Sequence, residues 1–477
     1  MLIPLKNVQH LHFVGIGGIG MSGIAEVLHN MGYRVKGSDL ALNGNGERLQ
    51  KLGVDVIIGH HAVNIEGAQV VVVSSAVKAD NPEVLAARAQ NIPVIQRAEM
   101  LAELIRLKRV IAVSGSHGKT TTTSLMACLL DTAGLDPTVV NGGIINAYNT
   151  NARRGMGEWA VVEADESDGS FIKLPATIAI VTNIDPEHMD YYKDFATLRA
   201  AFLKFIQNTP FYGLAVLCVD HPHVASLIPE ITDRRFITYG YSEKAQIRGE
   251  NLRIAPGGTT FDVVTETEVL RDLFIPLVGK HNTLNALSVV AVGLELGLEI
   301  EVIKKAFESF EGVKRRFTKT GTFGGITVID DYAHHPVEIA TVLDAARQAS
   351  TGKILAVVQP HRFTRLRDLF GDFARSLLTA DAVFVAPVYT AGEDPIPGVT
   401  SKNLAESIRE LGHGSVYEIS SPEEIAPLVL KNAQEGDMVL FMGAGNITHW
   451  AYNLPKELES LASRQNSSNV ISFKAGA

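Results

Sequence analysis

The chain is expected to fold as α/β, in three domains that each hold a mainly parallel sheet. Three observations predict this. A buried-strand pattern runs into a turn and then a helix three times: in "LHFVGIGGIGMSGIA" from Leu11, in "RVIAVSGSHGKTTTTSLMACLLDTAG" from Arg109, and in "GITVIDDYAHHP" from Gly325. The length of 477 residues suits about three domains of ordinary size. Hydrophobic residues at 46% and charged residues at 20% make a core-forming composition.

In the first segment, "YRVKGSD", "VDVIIG" and "QVVVVSS" read as strands. "NPEVLAARAQ" reads as a helix started by Asn81 and Pro82. In the second, "WAVVEAD", "TIAIVTNID" and "GLAVLCVD" are strands and "FATLRAAFLKFIQ" a helix. The third alternates helix "VEIATVLDAARQA", strand "KILAVVQP", helix "RDLFGDFARSLLTA" and strands "AVFVAPVY" and "DMVLFMGAG". The expected boundaries are 1–108, 109–314 and 315–477. The polar end "SRQNSSNVISFKAGA" reads as a loose tail.

Charge and cysteine usage narrow the function classes. The net charge of −9 comes without a long basic block, so nucleic acid is not expected as a partner. Two distant cysteines, Cys128 and Cys218, exclude a disulfide framework and suit a reducing compartment. No signal-peptide pattern opens the chain, and no apolar run reaches the roughly 18 residues of a membrane span. A cytoplasmic location without a membrane partner is expected.

"SGSHGKTTTTS" is the most specific stretch. Gly115, Ser116, His117, Gly118, Lys119, Thr120 and Thr121 form a glycine loop at a helix start. Backbone N–H groups there cradle phosphate, the lysine reaches the β/γ-phosphates, and the threonine hydroxyl suits Mg²⁺. The loop is shorter than the standard P-loop, since Val113 stands where a further glycine would be. Two acidic runs follow strands: "VVEADESD", with Glu163, Asp165, Glu166 and Asp168, and "VTNIDPEHMD", with Asp185, Glu187, His188 and Asp190. Carboxylates at the carboxyl ends of parallel strands face a ligand crevice. The opening loop Gly15, Gly17, Gly18 and Gly20 is a G-x-G-x-x-G diphosphate signature, and Asp39 stands near where a ribose-binding acid belongs. Taken alone, residues 11–39 favour NAD.

"GSHGKTTTT", "VVEADESD", "TNIDPEHMD", "GKHNTLNALS", "KRRF" and "DDYAHHP", in this order, resemble the Mur ligases of cell-wall precursor synthesis, over residues 10–450. "GIGGIGMSGIAE", "EADESD" and "QPHRFTR" resemble the alanine-adding branch. The resemblance implies an N-terminal Rossmann-like UDP-substrate domain, a central P-loop ATPase domain and a C-terminal Rossmann-like amino-acid domain. It implies ATP and Mg²⁺, with UDP-N-acetylmuramate and L-alanine joined through an acyl phosphate, in a monomer or homodimer whose domains close after ATP binds.

By resemblance, Lys119, Glu163, His188, Arg316 and Asp331 serve catalysis, and Thr120, Glu163 and His188 bind metal. His281, Asn282 and Arg316 join the glycine loop in holding ATP. Gly15, Gly17, Gly18, Gly20, Asp39, Ser74 and Ser75 hold the UDP substrate. Tyr332 and His334 shape the amino-acid site. Arg362 and Arg365 suit its carboxylate and would share a face if helical. Arg315, His60–His61, and His221 with His223 read as surface or turn residues. A zinc site at "AHHP" is disfavoured because adjacent histidines point apart. Related ligases carry a carbamylated lysine near "LRAAFLKF"; Phe202 and Leu203 stand there and Lys204 is off register, so no carbamate is expected. With an ATP site following, the first loop is assigned to a UDP-sugar. The alternatives are a murein-tripeptide ligase, an NAD-dependent dehydrogenase and a non-catalytic binding protein.

Overall fold

The computed structural model describes residues 8–74 and 76–474. Its first sheet has strands β1 (His10–Val14), β2 (Arg34–Asp39), β3 (Asp55–Ile58), β4 (Val70–Val73) and β5 (Val94–Gln96), in the order β3-β2-β1-β4-β5. All its pairings are parallel. The order reverses at β1, so a crevice opens beyond the carboxyl ends of β1 and β4. Leu11, Phe13, Val70 and Val72 bury one face and helix Ile19–Asn30 covers it.

The second sheet holds β6 (Arg109–Ser114), β7 (Thr138–Ile145), β8 (Thr150–Arg153), β9 (Trp159–Glu163), β10 (Ile178–Val181), β11 (Leu214–Cys218), β12 (Phe236–Gly240), β13 (Ile247–Ala255), β14 (Gly258–Val264) and β15 (Val269–Ile275). Their order is β15-β14-β13-β12-β11-β10-β6-β9-β7-β8. The continuous apolar runs of β6, β9 and β10 fit strands covered on both faces. The third sheet holds β16 (Thr318–Phe323), β17 (Ile326–Asp331), β18 (Ile354–Val358), β19 (Ala382–Val385), β20 (Val416–Glu418) and β21 (Met438–Met442), in the order β16-β17-β21-β18-β19-β20. Only β16 pairs antiparallel there.

The chain divides into two compact units. The first contains residues 1–252, 260–275 and 282–313; the second contains 253–259, 276–281 and 314–477. Within the first unit, helix Ile19–Asn30 packs on β7 and β8. Asn151 joins them: its amide donates to Ile19 O at 2.6 Å and Asn141 O at 3.2 Å. Any side chain at Gly23 would strike that amide, 2.6 Å away.

Two sequence expectations fail locally. The polar end continues helix Ile447–Lys474, which contains Pro455, instead of trailing loose. The expected helix over "RDLFGDFARSLLTA" is interrupted at Leu369: Arg367 and Asp368 end helix Phe363–Asp368, and Phe370–Ser376 forms a second helix. No helix among the described residues is long and apolar enough to cross a membrane.

Candidate active site

The second glycine loop leaves β6 and enters helix Lys119–Thr132. Its glycines are forced by space as well as dihedral angle. Gly115 has φ +137° and a Cβ there would lie 2.1 Å from Thr182 Oγ1; Gly118 has φ +83° and a Cβ would lie 2.5 Å from Asn285 Oδ1. Strand β10 clamps the loop from its carboxyl end. His117 N donates to Asn183 Oδ1 at 2.7 Å, Thr182 Oγ1 donates to His117 O at 2.6 Å, and Asp185 N donates to Ser116 Oγ at 2.8 Å. The Asp185 carboxylate lies 3.3 Å from both His117 and His221. Burial raises its pKa, but the two histidines outweigh that and hold it well below the usual range. His221 therefore belongs to the loop's support, not to a plain turn. The first half of "TNIDPEHMD" thus holds the loop.

Lys119 Nζ donates to Ser116 O at 3.1 Å and to Glu166 at 2.9 Å, and also to Gly115 O. Burial opposes its charge, yet Glu166, Asp165 and Glu163 prevail and keep it protonated above the usual lysine range. Two oxygen donors stand nearby on the same helix and on β9. A Cβ at Gly143 would come within 2.8 Å of Thr120 Cγ2, and one at Gly142 within 2.5 Å of Glu163 Oε1. Gly142 N donates to Glu163 Oε2 at 2.8 Å. The glycine pair of β7 thus leaves Thr120 and Glu163 the room they occupy, and hydroxyl plus carboxylate fit a Mg²⁺ donor set. His188, at φ +57°, joins a second group: its ligand atom and those of Glu166 and Glu187 lie within 4.8 Å of one another. Asn141–Gly143, whose local signal is "NGG", and the part played by Asn285 within "GKHNTLNALS" go unrecognised in the sequence alone.

In the first loop Gly15 has φ +81°. Gly17 N donates to Asp39 Oδ2 at 2.8 Å, and Asn43 and Asn45 side chains donate to Gly17 O at 3.1 and 3.0 Å. Asp39 Oδ2 thus holds the loop's backbone. Gly18 caps helix Ile19–Asn30 without a side-chain acceptor, and the first turn has no acid. Anion-binding N–H groups are therefore left available at this helix start. Ser74 Oγ accepts from Ala76 N at 3.3 Å; Ser75 lies outside the described residues. Beneath the loop, His60 is no surface residue. It meets Ser38 Oγ at 2.9 Å, beside buried Glu83.

In the second unit Asp331 is buried and accepts from Phe317 N and Ala333 N, both at 2.7 Å. Burial pushes its carboxyl up to about 6 despite these bonds. Arg315 and Arg316 flank the Tyr332 ring at 4.7 and 5.5 Å. Arg315 is not a surface charge: its guanidinium donates to the carbonyls of Gly443, Ala444 and Gly445. Burial drives the His281 and His334 imidazoles down to about 4, so both are neutral at pH 7. His334 Nδ1 meets Tyr332 O at 2.9 Å. Its ring neighbours His361 at 5.8 Å, and His361 stacks on Tyr389 at 5.4 Å. Arg365 adds positive charge beside both histidines. Arg362 does not share a helical face with Arg365: it precedes helix Phe363–Asp368 at φ +72° and is exposed. His335 caps helix Pro336–Ala349, its ring nitrogen accepting from Val337 N at 3.4 Å.

A phosphate-binding loop with an ion-paired lysine and carboxylates at parallel strand ends defines a P-loop α/β enzyme class. The chain belongs to the Mur ligase family. Models described as the Mur ligase family catalytic domain, middle domain and glutamate ligase domain match residues 10–109, 113–293 and 315–445. UDP-N-acetylmuramate–L-alanine ligases from Chelativorans sp. and Maricaulis maris are 57% and 59% identical to it. Each alignment covers 95% of this chain, with 99% and 98% of the relative. The crystal structure of the Thermotoga maritima UDP-N-acetylmuramate–alanine ligase superposes with a TM-score of 0.82 at 31% identity, over 94% of this chain and 99% of that one. A murein peptide ligase from Psychrobacter arcticus shares the fold, with a TM-score of 0.68 at 22% identity, over 94% and 98%.

Proposed function

We propose that this chain is the cytoplasmic enzyme that joins L-alanine to UDP-N-acetylmuramate at the expense of ATP, forming ADP and phosphate. It acts in peptidoglycan precursor synthesis. The observation that carries this reading is the Lys119 loop beside Glu163 and Thr120, in a chain 57% identical to an alanine-adding ligase over 95% of its length.

Lys119 leaves Glu166 for the β/γ-phosphates and offsets their charge during transfer to the muramoyl carboxylate. The alanine amine then attacks the acyl phosphate, and phosphate departs. Thr120 and Glu163 would hold one Mg²⁺, and His188 with Glu166 and Glu187 a second. When bound, the metal neutralises phosphate charge. The first glycine loop holds the UDP diphosphate on its helix start. Tyr332, His334 and Arg365 form the amino-acid site, where Arg365 meets the carboxylate. Neutral His334 and His361 add no competing charge. The higher identity to alanine-adding relatives than to the murein peptide ligase favours alanine over a tripeptide.

Phosphate release is measured with ATP, Mg²⁺ and UDP-N-acetylmuramate, with and without L-alanine. Release dependent on both the sugar nucleotide and alanine is expected. Release with a murein tripeptide instead would reassign the acceptor, and reduction of NAD would reassign the class.

A further inference from the structure

The first loop brings no cation of its own, but the tertiary structure supplies one. In the first sheet Val14 pairs with Val73 and Val73 with Gln96. The next residues, Gly15, Ser74 and Arg97, therefore leave three neighbouring strands at one edge. Arg97 begins helix Arg97–Ile105 and lies across the first turn of helix Ile19–Asn30. A Cβ at Gly20 would sit 3.1 Å from Arg97 Nη1 and 3.2 Å from its Cδ, so the arginine side chain lies directly against this glycine. The guanidinium also reaches the loop that follows β9, donating from Nη2 to Asp165 Oδ2 at 3.3 Å. Asp165 in turn acts electrostatically on Lys119.

This placement is unusual in sign. A helix N-terminus carries partial positive charge and disfavours a cation. The first turn has no acid to offset it. Asp165, the one carboxylate paired with Arg97 among the described residues, is at long range and its side chain is 38% exposed. An anion seated between loop and guanidinium would satisfy both. Under the function proposed above, the substrate carries its diphosphate and carboxylate past this point, from the first loop toward Lys119.

We infer that Arg97 is a substrate-contacting residue: its guanidinium exchanges the Asp165 carboxylate for an anionic group of the sugar nucleotide. Diphosphate and muramoyl carboxylate share the chemistry that a guanidinium fork recognises.

Calorimetric binding of UDP, UDP-N-acetylglucosamine and UDP-N-acetylmuramate to the full chain and to Arg97→Ala separates these sources. An affinity loss of about 10- to 100-fold is expected for UDP-N-acetylmuramate. If UDP weakens equally, the contact is to the diphosphate; if only the muramate weakens, it is to the carboxylate. Either result supports the inference. Arg97→Lys should restore part of the loss. Unchanged ADP–Mg²⁺ binding in each variant shows that the unit remains folded. UDP-N-acetylmuramate binding unchanged in Arg97→Ala, with ADP binding intact, would overturn the inference. So would an equal loss of ADP and sugar-nucleotide binding, which marks a merely structural residue. Failure of the unaltered chain to bind UDP-N-acetylmuramate would instead overturn the proposed function.

Discussion

Both glycine loops join a parallel strand to a helix start, yet they handle charge differently. The second carries its cation as the first residue of its helix, and Lys119 folds back onto the carbonyls of Gly115 and Ser116. The first has no lysine; its backbone is pinned by Asp39, Asn43 and Asn45, and a guanidinium arrives from Arg97. One loop carries its own cation within a dozen consecutive residues. The other receives one only when a sheet has formed. A loop that must stabilise charge developing on a transferred phosphoryl group gains from a tethered cation. A loop that only holds a diphosphate can rely on N–H groups and a neighbour.

The largest effect that would sharpen this contrast is at Lys119. Lys119→Ala should lower turnover by about a thousandfold while UDP-N-acetylmuramate affinity, read by calorimetry, stays within about twofold. Loss of both would mean that the two loops are not separable.

The next effect concerns the support under the first loop. Glu83 is buried and accepts from Ser38 Oγ at 2.6 Å and Asn64 Nδ2 at 2.6 Å, with His12 Nε2 at 3.0 Å. Burial raises this carboxyl, but the His12, Ser38 and Asn64 bonds outweigh it and hold it at about 2, against 4.5 ordinarily. A depressed acid stabilises the fold fully above its ordinary value, and that contribution disappears as pH falls from there through about 2. Glu83→Gln should therefore cost about 3 kcal/mol at pH 7, measured by hydrogen exchange of the β1 and β2 amides. The difference should shrink below about pH 4.5. A pH-independent difference would point to lost packing.

A smaller change is expected at Gly17, where a Cβ would come within 2.9 Å of Asp39 Oδ2 and Asn43 Nδ2. Gly17→Ala should weaken UDP binding by about tenfold and leave ADP binding alone; the reverse pattern would break the division between loops. The smallest effect is at Lys204, exposed on helix Phe195–Gln207 beside buried Phe202. Lys204→Ala, and removal of dissolved CO₂, should each leave turnover within about twofold. A larger CO₂-dependent loss would restore a carbamate to this chemistry.

Local signals made the second loop legible: strand, glycines, lysine and threonine are contiguous, and the carboxylates follow strands. The β7–β8 hairpin and strands β12 to β15 lacked a comparable signal. Thr138–Ile145 includes "NGGI", and its glycines make sense only against Thr120 and Glu163. Arg315 misled because its neighbours are charged; its burial depends on carbonyls of residues 443–445. The pairing of Arg362 with Arg365 assumed a helix that begins one residue after Arg362.

Contiguous sequence determined the α/β class, the three strand–loop–helix starts and the phosphate loop. Hydrophobic period and glycine placement act within a few residues, so they are readable along the chain. Tertiary structure alone decided which polar groups meet: Asp185 with His117 and His221, Glu83 with His12 and Ser38, Arg97 with Gly20 and Asp165. Parallel strands place distant residues at a common edge, and strand order, which no local propensity encodes, selects them.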